Sequence, residues 1–302
     1  MHKKKLEEAR TFLAELAEKP PWLPYEPALL PMLFSATRED STASINDITA
    51  LIERSQKLAS RVLAISNSAV YALESTVTTL GRAVSILGFR EVRTLVIMVG
   101  AVSAIKGAKL PKRFDINTLW QHQLKTAAIA KALTAYLDSE CNKGRLRKED
   151  TPALAPDEAY VTGLLHDIGK VFLAAVRSGI WEEIEGIRKD MGISFAEAED
   201  AYWGMDHALI GAQVLHYWKI PLLITDPINW HHAPHVAPAY RAETAMLSAA
   251  NIIANHPGAE EGEMPADALF LLPAGTDTGH VGEVVKAALG RNTSLLLNSL
   301  MD

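Results

Sequence analysis

An all-α fold is what this sequence predicts, and three features predict it. Apolar residues recur at spacings of three and four along nearly the whole chain. No segment shows the sustained two-residue alternation of a half-buried strand. From Met32 to Leu110 there is no proline, and the helical stretches there are joined by short connections, as in a compact bundle. The expected organisation is an N-terminal helical bundle over residues 1–110, packed on a second helical domain over 111–256, with 257–302 as closing helices.

Taken in order, Leu6, Ala9, Leu13 and Leu16 mark a short amphipathic helix. Pro20, Pro21, Pro24, Pro27 and Pro31 then require an extended or turn-like segment. Ser44 is placed to cap a helix with Ile45, Ile48 and Ile52 on one stripe. Leu58, Val62, Ile65 and Ala69 mark the next helix, and Leu80, Val84 and Leu87 another, closed by Gly88. Val92, Leu95, Val96, Val99 and Val102 lie on a helix apolar nearly all round, which suits a central position. A basic connector around Pro111 precedes Asp115, the expected cap of a long helix to about Asp138 with Leu119, His122, Thr126, Ile129 and Leu133 on one stripe. The polar run 139–156, with Lys143, Arg145, Arg147 and Lys148, reads as an exposed loop. Further helices are expected over about 157–176 and 181–191, and from Ser194, whose Ser-Phe-Ala-Glu fits a capping box. Others are expected after Asp206, from Pro221 to His231-His232, over 239–255, and as short pieces over 281–289 and 294–301.

Composition narrows the function. Hydrophobic residues make up 48% and charged residues 22% of 302 residues, an ordinary globular mix. The net charge of −6 provides no basic field for general nucleic-acid binding. A single cysteine, Cys141, excludes an intrachain disulfide and a cysteine-rich zinc module. The lysines at the N-terminus are followed by no apolar signal core, and the longest apolar stretch, Leu95–Ile105, is too short to span a membrane. The expectation is a cytoplasmic protein with no membrane segment.

The chemistry concentrates in Gly163-Leu164-Leu165-His166-Asp167-Ile168-Gly169-Lys170. Imidazole and carboxylate are good ligands for Fe, Mn or Zn. Read as one continuous helix, the run puts His166 and Lys170 on a shared face, with Asp167 about 100° round. Four other histidines stand where helices can converge on this pair: His122 on an inward stripe, His207 at a helix start, and His231 and His232 at a helix end before a proline turn. Burying several imidazoles without partners is costly, and a shared metal or a polar network offsets that cost.

These residues give the region from about Leu119 to Ala254 a resemblance to the HD superfamily, whose metal-dependent phosphohydrolases are named after the His-Asp pair. On that resemblance His122 matches the early histidine, His166 and Asp167 the pair, and Lys170 the lysine of the cyclic-dinucleotide phosphodiesterase branch. His207, His231 and His232 match that branch's additional histidines. Two positions depart from the pattern. Asn251 stands where the late aspartate is expected, and Ala233-Pro234-His235 follows the paired histidines in place of a Gly-Tyr-Pro loop.

Both departures point to a narrower family, as do Ile65-Ser66-Asn67-Ser68-Ala69-Val70-Tyr71, Ala83-Val84-Ser85-Ile86-Leu87-Gly88, Trp120, Asp206-His207 and Trp218-Lys219-Ile220-Pro221. Over about residues 25–255 the chain resembles the HDOD family, the HD-related output domains of bacterial signalling proteins. The resemblance implies an HD-like helical domain and a regulatory module acting mainly through contacts with a signalling protein partner. It implies a site for one or two divalent transition metals (Fe, Mn or Zn) on His122, His166, Asp167, His207, His231 and His232. The alternative it implies is a phosphohydrolase acting on a nucleotide or cyclic dinucleotide, with Asp167 and Lys170 as its catalytic residues.

Overall fold

The computed structural model describes residues 2–18, 29–37, 41–68, 71, 75–104 and 109–290. Among them there are fifteen α-helices and no strand, so the all-α expectation holds. The chain divides into two compact units. One contains residues 1–19, 108–216 and 222–293, the other 20–107, 217–221 and 294–302.

Helix α1 (His2–Glu18) belongs to the first of these units, and the second is built from the helices over residues 29–104. Helix α2 (Leu29–Ala36), α3 (Ile45–Glu53) and α4 (Gln56–Ser66) pack around α5 (Leu80–Ala104). Ser44 caps α3 as expected, in a reciprocal capping box with Asp47. Ser55 caps α4 by accepting from the Leu58 amide. Gly88, at φ 78°, puts a kink in α5 where the sequence predicts a helix end. Ile48, Ile52, Leu58, Val62, Ile65, Val84 and Val92 are completely buried and form the core. The buried guanidinium of Arg93 donates to the Thr37 carbonyl at 3.4 Å and lies 5.6 Å from the centre of the Phe34 ring. Most of the proline-rich segment, Ala69, and the expected helix at 294–301 fall outside the described residues.

The unit that holds the histidines is built on α6 (Ile116–Asn142) and α7 (Pro156–Leu165), its most extensive pairing. Asp115 caps α6, accepting from the Asn117 and Thr118 amides. Gly163 permits the close approach of α7 to α6, since a Cβ there would lie 2.7 Å from the Ala127 Cα. Next come α8 (Ile168–Val176), α9 (Ser178–Met191), α10 (Phe195–Trp203), α11 (His207–Tyr217), α12 (Leu222–Trp230) and α13 (Arg241–Ala254). Two further helices follow, α14 (Ala266–Phe270), within a stretch the sequence offered no periodicity for, and α15 (Thr278–Leu289). The predicted capping box at Ser194 and Glu197 is present. Helix α1 packs on α10, with Phe12 stacked on Trp203 at 5.8 Å. In the polar loop, Lys143 and Arg145 both bind Glu140, at 2.8 and 2.9 Å.

Two expectations are corrected. The stretch with the His-Asp pair is two helices rather than one, because His166 ends α7 and Asp167, at φ −100° and ψ 9°, leaves helical geometry before α8. Pro156–Val176 is also long and apolar enough, by composition alone, to cross a membrane. It is 78% buried inside the fold, so its apolarity is that of core helices packed on every side.

Candidate metal centre

The break between α7 and α8 organises the site. Lys170, in the first turn of α8, reaches back with its Nζ to Asp167 Oδ2 at 2.6 Å. Gly169 makes the arrangement possible, because a Cβ there would lie 1.9 Å from the His207 carbonyl oxygen. The backbone of α8 therefore lies directly against the start of α11, and His207 is delivered to the aspartate.

All six predicted ligand residues meet in this place, from five segments of one unit. Asp167 is at the centre and almost completely buried. Its Oδ1 lies 2.8 Å from His207 Nε2 and 3.9 Å from His231 Nε2. Its Oδ2 lies 3.5 Å from His166 Nε2 and 3.7 Å from His122 Nε2. His122 and His166 approach each other at 3.2 Å, and His207 and His232 at 3.0 Å. Two ligand groups result, each with its donor atoms within 4.8 Å of one another: His122, His166 and Asp167, and Asp167, His207, His231 and His232. Asp167 belongs to both.

Hydrogen bonds behind the rings fix which nitrogen faces inward. His166 Nδ1 bonds the Gly163 carbonyl and His231 Nδ1 bonds the Ile228 carbonyl, each at 2.7 Å. A neutral ring donating from Nδ1 presents its Nε2 lone pair to the centre. Helix α13 holds the His231 segment, since Ser248 Oγ donates to the His231 carbonyl at 2.7 Å. The buried His231 Nε2 has no hydrogen-bond partner, and neither does Asp167 Oδ1, with which His207 Nε2 is not aligned as a donor. Leaving such atoms unsatisfied costs about 1–3 kcal/mol each. A cation ligated by both removes that cost, so the donor set fits a divalent transition metal.

Electrostatics agree with this fit. Burial holds His166 well below the ordinary imidazole range despite Asp167 beside it, and lowers His231 to about 4. His122 is lowered by burial and by Lys170. His232 keeps solvent access, yet loss of water around its ring and the adjacent His231 and His207 lower it too. These four rings are neutral at pH 7 and able to ligate. Burial alone would raise the Asp167 carboxyl, but His166, Lys170 and His207 together hold it well below the usual range.

His207 differs, and it exposes a residue that sequence reasoning missed. Burial, the largest single influence, disfavours its charge, but Glu199 and Asp167 together outweigh burial and raise it to about 9. Glu199 Oε2 lies 2.5 Å from His207 Nδ1 and accepts from the His207 amide at 3.0 Å. Glu199 is itself completely buried, and burial raises its carboxyl. The signal was available in the pattern: Glu199 lies four residues before Trp203 and next to Ala198, on the apolar face of α10. A charged residue there needs a buried partner.

Beside the cluster, Asn251 lies close enough to His122 to favour its charged form slightly, and its Oδ1 accepts from Asn255 Nδ2 at 3.2 Å. The cluster opens into a cavity of about 650 Å³, whose wall includes Lys170, Arg188, Asn251 and three aromatic rings. His256 and His280, given no role from the sequence, lie near Glu263 and Glu283.

A profile of the HDOD domain matches residues 23–234. An uncharacterized protein of Treponema pallidum (strain Nichols) is 24% identical over 215 residues, 71% of this chain, and the match spans only 39% of that protein's length. Solved structures share the fold. A Shewanella amazonensis SB2B protein provisionally named a phosphohydrolase superposes with a TM-score of 0.69 at 24% identity, over 96% of this chain and 98% of its own. An HDOD domain protein with unknown function from Geobacter sulfurreducens gives 0.63 at 24% identity, over 96% and 95%. A Marinobacter aquaeolei VT8 protein provisionally named for signal transduction gives 0.75 at 20% identity, over all of this chain and 66% of its own. With its profile match extending through both compact units and covering all six clustered residues, this chain belongs to the HDOD family.

Proposed function

We propose that this chain is a regulatory HDOD module of signal transduction whose HD-derived cluster holds a divalent transition metal, Fe, Mn or Zn, and receives a phosphorylated ligand in the adjoining cavity. Its output is a contact with a signalling protein partner. The observation that supports it is the convergence of five histidines on one buried aspartate beside an open cavity, with Asn251 neutral at its edge. A bound divalent ion supplies Lewis acidity toward phosphate oxygens and water. Asp167 anchors the ligand set, Glu199 orients His207, and Lys170 attracts the phosphate. One carboxylate among five histidines leaves the centre strongly cationic when loaded, which suits holding an anion. Elemental analysis of untagged protein purified without chelator is expected to find about one metal per chain or more, and less than about 0.2 per chain would sink the centre.

A second reading is a metal-dependent phosphohydrolase acting on a nucleotide or cyclic dinucleotide. It is favoured by Lys170, which reaches Asp167 from the cavity side and can neutralise charge growing on a phosphate oxygen. The names of the fold relatives span both readings, so the discrimination comes from assay. Turnover of a generic phosphodiester or cyclic dinucleotides with added Mn or Fe, abolished by Asp167→Ala, establishes the hydrolase. A fully loaded protein without turnover favours the module.

A further inference from the structure

We propose that the wall formed by Phe114, Trp181 and Phe195 is a ring-binding subsite, and that the ligand of the cavity is a nucleotide whose base lies on this wall while its phosphate lies at Lys170. The inference rests on the proposed phosphate-binding role of the same cavity and adds the chemistry of the rest of the ligand.

The three rings form a continuous series leading to the cluster. Phe114 meets Trp181 edge-on at 5.5 Å between centroids, Trp181 meets Phe195 at 6.2 Å, and Phe195 meets His207 at 6.2 Å. All three line the cavity that also contains His122, Asp167, Lys170 and His232. The bland alternative is ordinary core packing. Phe12 and Trp203 show what that looks like in this unit: both are at most 1% exposed and stacked on each other. Phe114 and Phe195 are instead only half-buried and line the open cavity, while Trp181, 6% exposed, sits between them and reaches the cavity as part of the wall. Aromatic faces left open to water beside a cationic group suit a planar ring tethered to an anion. The cavity's 650 Å³ lies within the range of small-molecule sites. A bare phosphate or a sugar phosphate would leave the aromatic wall wet.

The test measures binding of AMP, GMP, CMP, UMP and ribose 5-phosphate to the full chain by calorimetry, with metal content determined on the same samples. At least one nucleotide is expected to bind at least tenfold more tightly than ribose 5-phosphate. Phe195→Leu and Trp181→Leu should each reduce that preference at least fivefold, Trp181→Phe should keep most of it, and circular dichroism checks that each variant is folded. Lys170→Gln should weaken nucleotides and ribose 5-phosphate alike. The subsite is overturned if no nucleotide exceeds ribose 5-phosphate by more than twofold, if none of the probes binds, or if the preference survives both leucine variants. Metal content separates the two proposals. Protein without metal that still prefers a nucleotide keeps the ring subsite and loses the centre, whereas loaded protein that binds all five probes equally loses only the subsite.

Discussion

The two halves of the cluster share Asp167 and little else. On one side His207, His231 and His232 complete four donors, and Glu199 orients His207 from behind. On the other side His122 and His166 bring the donors to three, and the adjacent Asn251 is neutral. The first half includes two almost fully buried histidines and carries a proton on His207, while the second carries neutral rings. Ligand number and outer support, more than histidine count, set how firmly a position holds a cation. The Glu199 side is therefore expected to fill first.

That asymmetry can be broken in graded ways. The largest effect is expected from Asp167→Ala, which removes the shared ligand. Metal affinity should fall about a thousandfold at both positions, as several kcal/mol of charge-assisted ligation are lost. Titration with Mn or Zn reads this, and retention of one tight site would contradict the sharing. Next is Gly169→Ala, where the added Cβ collides with backbone at His207. A loss of about 3 kcal/mol in denaturant unfolding is expected, larger than that of Gly163→Ala, whose nearest clash is 2.7 Å rather than 1.9 Å. An equal or smaller loss would show that α8 and α11 can separate cheaply.

Glu199→Gln should weaken the four-donor position roughly 10–100-fold and leave the His122 side unchanged, as two-site titration would reveal. The same half should respond to pH. His207 keeps its proton up to about 9 in the metal-free protein, and a metal must displace it. Affinity therefore rises with pH below about 9, close to tenfold per unit. Calorimetry at pH 7 in two buffers of different ionisation enthalpy should find about one proton released, and none would refute the Glu199–His207 assignment. The His122 side, with rings already neutral, should release none. The smallest effect is expected from Asn251→Asp. An added carboxylate should improve that weaker side by about tenfold, and unchanged stoichiometry and affinity would mean that Asn251 does not limit it.

Much of this was legible in the chain. Caps at Ser44, Asp115 and Ser194, the apolar stripes and the six residues that meet in the cluster could be read because each is a local pattern or a chemically distinctive side chain. The break at His166–Asp167 was not, since its cause is tertiary: Gly169 gives way to the backbone of α11, which no local periodicity reports. Glu199 was missed because only burial separates it from the solvated glutamates Glu197 and Glu183. The aromatic wall joins residues 114, 181 and 195 across three segments, and sequence spacing holds no trace of that meeting.

The fold's dependence on position 167 has a mechanical side. Donors from position 122 to position 232 are gathered within a few ångströms, so an ion seated among them acts as a reversible cross-link closing a long stretch of chain. Closing such loops removes conformational freedom from the unfolded chain, and binding only to the folded form stabilises it in proportion to the logarithm of saturation. Chelation would then loosen the α7–α8 junction before the rest of the unit, and the availability of metal would be felt as stiffness at the one turn on which both halves of the cluster hang.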